Sequence, residues 1–315
     1  MNELKIIKSL KKNIKNPSAL KLNDDVFFDK KKSLVVSIDT YNEKIHYLNF
    51  KYPDLLIKKV VRSSISDLIC KGVDPKYLLI SFSGSKKNFN KKNIKLILKS
   101  LKQEQSKFKF SIIGGDTTSS TRSSFTICSI GYSKKIIKRN KSLVNDDIFL
   151  TGNIGDSSVG LHFLKHKSVA SIKYKKYFID KYFKPNLAFG FHKDLNKFAN
   201  SSIDVSDGLL IDLKNLLNNQ KMGFEVDFNS LPKSLYFNQL IKKKIILIND
   251  HLFNGDDYQI LFTAKKKYRK KIFDTARKWN QKISKIGTII SKNDNYLKFN
   301  KKLKKIKKYQ GYIHN

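Results

Sequence analysis

Six short segments of this chain each set an aspartate among hydroxyls, amides or glycines beside an apolar run: Asn23-Asp24-Asp25, Ser37-Ile38-Asp39-Thr40, Ser66-Asp67, Gly114-Gly115-Asp116-Thr117-Thr118, Asp204-Val205-Ser206-Asp207-Gly208 and Asn254-Gly255-Asp256-Asp257. A chain punctuated in this way reads as strands and helices interrupted by acidic turns. The acids are scarce, 26 against 64 lysines and arginines, so their concentration in these segments carries information. If the segments converge, carboxylates ~4 Å apart repel by about 4 kcal/mol at an effective dielectric of 20, and the cluster requires cations. Carboxylates gathered with hydroxyls and little histidine suit magnesium, and magnesium suits phosphate chemistry. Any one segment alone also reads as an ordinary turn or helix cap, because Asp, Gly, Ser and Thr are the usual residues there.

A length of 315 residues suits two domains. Leu34 to Ile38, Tyr77 to Ser83, Phe108 to Ile113 and Phe125 to Tyr132 read as strands. Ile57, Val61, Ile65 and Leu68 recur at helical spacing up to Gly72, and Ile94, Ile97, Leu98 and Leu101 mark another helix. Charged residues interrupt the apolar pattern between Lys134 and Asn145, which places the boundary near residue 140 and gives domains 1–140 and 141–315. Beyond it, Ile148 to Leu150, Ser202 to Val205, Phe224 to Phe228, Tyr258 to Thr263 and Ile283 to Ile290 read as strands. Helical stripes lie at Leu187 to Phe198 and Leu209 to Leu217. The expected fold class is α/β with α+β texture.

The formal charge of +38 raises the question of a nucleic-acid partner. The basic residues, however, are lysines apart from five arginines, and they are spread over nearly every element. Readers of nucleic acid favour arginine, so the excess reads as a lysine-rich background and no specific nucleic acid is expected. The run Lys301 to Lys308 is the segment best placed to meet a polyanion. No run of about 18 apolar residues and no signal-peptide core occurs, so a cytoplasmic protein without a membrane partner is expected. Cys70 and Cys128 sit in apolar stretches without metal-ligand spacing.

Gly114-Gly115-Asp116 permits close approach of backbone to a ligand, with threonine hydroxyls following. Thr151-Gly-Asn-Ile-Gly-Asp-Ser157 precedes a helix; its amides suit either an anion or packing alone, and it lacks the ending of a P-loop. Asp204 and Asp207 flank a serine where a strand passes into a helix, a place that favours ionised carboxylates and bound metal. His162 and His166 have the spacing of a zinc pair, but no third ligand is evident.

The ordered set Asp24-Asp25, Ser37-Ile-Asp39-Thr40, Ser66-Asp67-Leu68, Ile112-Ile-Gly-Gly-Asp-Thr-Thr118, Thr151 to Ser157, Ile203-Asp-Val-Ser-Asp-Gly-Leu209, Gly255-Asp-Asp-Tyr258 and Gly311-Tyr312 resembles the successive motifs of the thiamine-monophosphate kinase family. The resemblance implies an aminoimidazole-ribonucleotide-synthetase-like fold, with an N-terminal domain that forms a dimer β-barrel and a C-terminal domain that closes over the site. It also implies an ATP- and magnesium-dependent kinase, active as a homodimer, that converts thiamine monophosphate to thiamine diphosphate. Asp25, Ser37, Asp39, Asp67, Asp116, Asp204 and Asp207 fall on metal-binding positions, and Asp39, Asp116 and Asp207 are the acids expected at the reacting phosphates. Gly115, Asp116, Arg139 and Ser206 fall on nucleotide positions; His46, Asp256 and Tyr312 fall on substrate positions. Asp256 stands where the family usually has the longer glutamate. Other ATP-dependent synthetases or kinases of the superfamily share much of this pattern. The selenophosphate and hydrogenase-maturation relatives would need reactive terminal cysteines that this chain does not have.

Overall fold

The computed structural model describes residues 3–309 and 311. The first half contains α1 (Glu3–Lys11), β1 (Phe27–Asp29), β2 (Leu34–Asn42), α2 (Pro53–Cys70), β3 (Pro75–Gly84), α3 (Lys91–Phe108), β4 (Ser111–Ser119) and β5 (Ser124–Tyr132). Its five strands form one sheet in the order β1-β2-β5-β3-β4. On β2 the residues Val35, Ser37 and Tyr41 are buried while Ile38 is exposed, the alternation of a sheet with one covered face. The covering element is α2, whose Leu56, Ile57, Val60, Val61, Ile65, Leu68 and Ile69 are all buried. The opposite face keeps Ile38, Tyr77, Leu79 and Tyr132 exposed.

The second half follows with β6 (Asp147–Thr151), α4 (Asp156–Lys165), α5 (Ile172–Phe183), α6 (His192–Leu195), β7 (Ala199–Asp204), α7 (Leu209–Leu216), β8 (Gly223–Asp227), α8 (Leu235–Lys242), β9 (Ile260–Ala264), α9 (Arg269–Lys278), β10 (Ile283–Ile290), β11 (Tyr296–Phe299) and β12 (Lys302–Lys305). Seven strands form the sheet β12-β11-β8-β10-β6-β9-β7. One apolar cluster runs continuously from α2 and the first sheet into Phe149, Phe191, Phe198 and Phe262 of the second half. Dispersion and burial therefore hold the two sheets in a fixed relation. A second cluster fills the far side of the second sheet around Leu150, Leu213, Phe224 and Phe237.

Several sequence-level readings differ from the structure. Only three of the six acidic segments are loops: Asp39 lies within β2, Asp67 within α2, and β4 runs on through Gly114-Gly115-Asp116 to Ser119. The strand continues because Gly115 adopts φ +157°, where a side chain would strike the Ile80 backbone, so the glycine lets β4 press against β3. Phe108 closes α3 instead of opening a strand, and the stripe from Leu187 to Phe198 contains only the short α6. Part of the basic run at Lys301 to Lys308 is β12, paired with β11. Among the described residues, no helix is long and apolar enough to cross a membrane.

Candidate active site

Three elements meet at the acids. β2 presents Ser37 and Asp39 on its covered face, α2 contributes Asp67 from its last turns, and β7 ends in Asp204 at the edge of the second sheet. One carboxylate oxygen from each of Asp25, Asp67 and Asp204 falls within 4.8 Å of the others. Ser37 Oγ donates to Asp67 at 2.5 Å. Ser66 Oγ contacts both the Ser63 carbonyl and an Asp204 oxygen, two acceptors for one hydroxyl proton. The single Ser66 hydroxyl proton is thus shared between the Ser63 carbonyl and the Asp204 carboxylate. Burial drives the Asp204 and Asp67 carboxyls up, and Asp39 and Asp204 push Asp67 further. Asp39 is pushed up to about 7 by burial and then by Asp204, and its Oδ2 is buried with no hydrogen-bond partner.

The crowding gives a pH signature. A carboxyl raised from 3.8 to about 7 stabilises the fold in its protonated form, and that contribution disappears as pH climbs through about 7. In EDTA, the thermal midpoint of the parent should fall relative to that of Asp39→Asn between pH 4 and 8. Parallel curves would show that Asp39 carries no such strain.

Next to the acids lies a cleft of about 430 Å³, lined by Asp39, His46, Lys59, Asp67, Tyr182, Asp204, Ser206, Asp207, Asp256 and Tyr258 among others. Backbone hydrogen bonds dock the Gly255–Tyr258 loop onto the end of β7: Asp256 N–H to Ser206 O at 2.7 Å and Tyr258 N–H to Val205 O at 2.8 Å. Asp256 and Tyr258 both take positive φ in this loop, local strain fixed by that docking. The buried ammonium of Lys59 lies 2.5 Å from both Asp256 oxygens and 4.0 Å from the centre of the Tyr182 ring. Ser157 Oγ also donates to Asp256, at 2.9 Å. His46 Nδ1 accepts the Asn42 N–H at 2.9 Å, which places the ring proton on Nε2.

The segment 22–132 matches the family model described as AIR synthase related protein, N-terminal domain. A thiamine-monophosphate kinase of Buchnera aphidicola subsp. Schizaphis graminum is 32% identical, with 99% of this chain and 98% of the relative covered. This chain belongs to the thiamine-monophosphate kinase family. A thiamine-monophosphate kinase of Aquifex aeolicus is 27% identical over 75% of this chain and 77% of its own. The fold agrees as well: the solved structure of AaThiL complexed with AMPPCP and TMP superposes with a TM-score of 0.87 at 24% identity, covering 100% of this chain and 97% of that one.

The family's motif positions do not all meet in one place. Asp25, Ser37, Asp39, Asp67 and Asp204 converge, and Ser206, Asp207, His46 and Asp256 line the adjoining cleft. Asp116 stands apart with Gly115 on β4, the edge strand, exposed and paired to Ser81. Ser81 pairs with Thr126 and Thr126 with Thr40, so Asp116 lies three strands, or ~14 Å, across from β2. The row that holds Asp116 also faces away from Asp39, whose side chain lies on the covered face. Within one chain, Asp116 thus stands apart from the convergence of Asp25, Ser37, Asp39, Asp67 and Asp204. Arg139, expected at the nucleotide, clamps Asp25 through Nε at 3.0 Å and through Nη2. Tyr312 lies outside the described residues.

In the turn from Thr151 to Ser157 several amides are already engaged: Gly155 N–H donates to Asp257 at 2.8 Å, Gly152 N–H donates to Lys282 O and Ile154 N–H to Pro232 O. Asp257 thus caps α4 from a distant loop, which favours the packing reading of that turn. His251 supplies a third imidazole near His162 and His166, with ring centroids 5.3 Å from His162, but these three do not form a ligand group among the described residues. Sequence reasoning missed Lys59, Lys71, Tyr182 and Asp212, whose carboxylate accepts the Gly208 N–H at 2.9 Å behind the Asp204–Gly208 turn.

Proposed function

We propose that this protein transfers the γ-phosphoryl group of ATP to the phosphate of thiamine monophosphate, giving thiamine diphosphate and ADP. The observation that carries the reading is full-length similarity to a thiamine-monophosphate kinase, joined to the meeting of five motif residues beside a cleft of substrate size. The acceptor is already an anionic phosphate oxygen, so the protein has to align donor and acceptor rather than extract a strongly held proton. That oxygen forms the new bond to the γ-phosphorus as the bond to the β-bridging oxygen breaks, and the electron pair leaves with ADP.

An all-oxygen donor set with an orphaned Asp39 oxygen fits magnesium. Asp39, Asp67 and Asp204 would hold it, with Ser37 and one remaining Asp25 lone pair in support; when bound, magnesium neutralises phosphate charge. His46 Nε2–H is assigned to the acceptor phosphate, Asp256 to the cationic half of thiamine monophosphate, and Ser206 and Asp207 to the nucleotide side. Residues 1–140 make the nucleotide and dimer half, and residues 141–315 close over the site.

The uncovered face with Ile38, Tyr77, Leu79 and Tyr132 is assigned to a homodimer, and Gly115 and Asp116 at its edge act from that interface. Ile38→Glu should convert the sedimenting species from dimer to monomer, because a buried unpaired charge opposes association. A parent protein that sediments as a monomer would refute the assembly. The activity itself is tested by incubating protein, ATP, magnesium and thiamine monophosphate and resolving the thiamine phosphates by chromatography. Thiamine diphosphate and ADP should appear in equal amounts; ADP without thiamine diphosphate would exclude this acceptor.

A further inference from the structure

Lys71 immediately follows α2 and has no exposed surface. Its ammonium meets Asp24 Oδ1 at 2.8 Å, Asp25 Oδ2 at 2.6 Å and the Ser202 carbonyl at 2.7 Å, three acceptors for three N–H donors. Asp24 is completed by the backbone N–H groups of Asp25 and Arg139. Asp25 takes Lys71 and two nitrogens of Arg139, so three of its four lone-pair positions are filled. Two buried carboxylates are thus neutralised by two protein cations. Asp39, Asp67 and Asp204 differ: among the described residues they meet hydroxyls, and no lysine or arginine forms an ion pair with them.

We propose that Lys71 is a resident cation of the metal site, a positioning residue that holds Asp24 and Asp25 in place with no divalent ion bound. A bound metal then has only Asp39, Asp67 and Asp204 left to neutralise, with Asp25 offering a single oxygen. The proposal rests on reading these acids as the metal site; it does not depend on which phosphate is transferred. Burial of a lysine is costly, and a chain with 59 lysines has ample material to place one where an ion would otherwise sit.

The test is thermal unfolding of the parent and Lys71→Met in EDTA and in saturating magnesium chloride, without nucleotide or thiamine. Methionine keeps the unbranched stem of the side chain and removes its terminal ammonium. In EDTA, Lys71→Met should melt about 6–10 °C below the parent, as expected when one partner of a buried pair is removed. Magnesium should close at least half of that gap, because an ion can then enter between Asp24, Asp25 and the remaining acids, and it should raise the parent's midpoint less. Equal magnesium shifts in both proteins, zero included, or a Lys71→Met midpoint in EDTA equal to the parent's, would overturn the proposal. Should Lys71→Met fail to fold even with magnesium, the Lys71→Met/Asp24→Asn variant decides: recovery of folded protein supports the role, and continued failure contradicts it. A protein that shows the Lys71-dependent magnesium response yet makes no thiamine diphosphate would sink the kinase reading alone.

Discussion

Asp204→Asn should leave a folded protein whose formation of thiamine diphosphate falls by about 10³-fold, the scale seen when one preorganised charge is removed from a transition-state site. The same substitution should not lower stability in EDTA at neutral pH. Burial already opposes ionisation of Asp204, and its oxygen shares Ser66 with the Ser63 carbonyl, so a neutral amide removes a penalty instead of a bond. Steady-state assays and thermal unfolding on one preparation check both halves. Activity within tenfold of the parent would remove Asp204 from the reacting centre, and a large loss of stability would make it a structural acid.

The second large effect concerns Lys59 and Asp256. Lys59 is almost fully buried, whereas the Asp256 side chain is 28% exposed to the cleft. Asp256→Asn leaves the ammonium beside the Tyr182 carbonyl and the Tyr182 and Tyr258 rings without its anionic partner, while Lys59→Met strands a carboxylate that water can reach. The cost should therefore be unequal: about 3 kcal/mol for Lys59→Met, at the low end for a broken buried pair, and more for Asp256→Asn. The double variant should recover part of the loss. Both single variants should raise the KM for thiamine monophosphate more than they lower kcat, since the pair shapes the proposed substrate end of the cleft. Additive stabilities in this cycle would show that the two charges do not depend on each other. Asp256 also bears on the departure from the family's glutamate: its positive φ and the Lys59 ammonium set where the shorter carboxylate ends.

Much of the site was legible because an aspartate inside an apolar run is conspicuous in so basic a chain. Asp39, Asp67 and Asp204 announce themselves in that way, although Asp39 and Asp67 lie inside regular elements and Asp204 is the last residue of a strand rather than part of a turn. Lys59 and Lys71 were hidden by the opposite effect. Nothing local distinguishes a buried lysine from its many exposed neighbours; only the tertiary approach of Asp24, Asp25 and Asp256 does. Asp116 was misplaced because Gly-Gly-Asp is a turn signal in isolation, and pairing with β3 overrides that preference. The helix α5, which carries Tyr182 into the cleft, was missed because lysines interrupt its apolar stripe.

The most direct measurement uses ATP labelled in its γ-phosphate, mixed with protein, magnesium and thiamine monophosphate and followed over a single turnover. The label should pass directly into the terminal phosphate of thiamine diphosphate, with none retained on protein and none lost to inorganic phosphate. Label accumulating on the protein before product forms, or appearing only as inorganic phosphate, would contradict direct transfer between two substrates held side by side in this cleft.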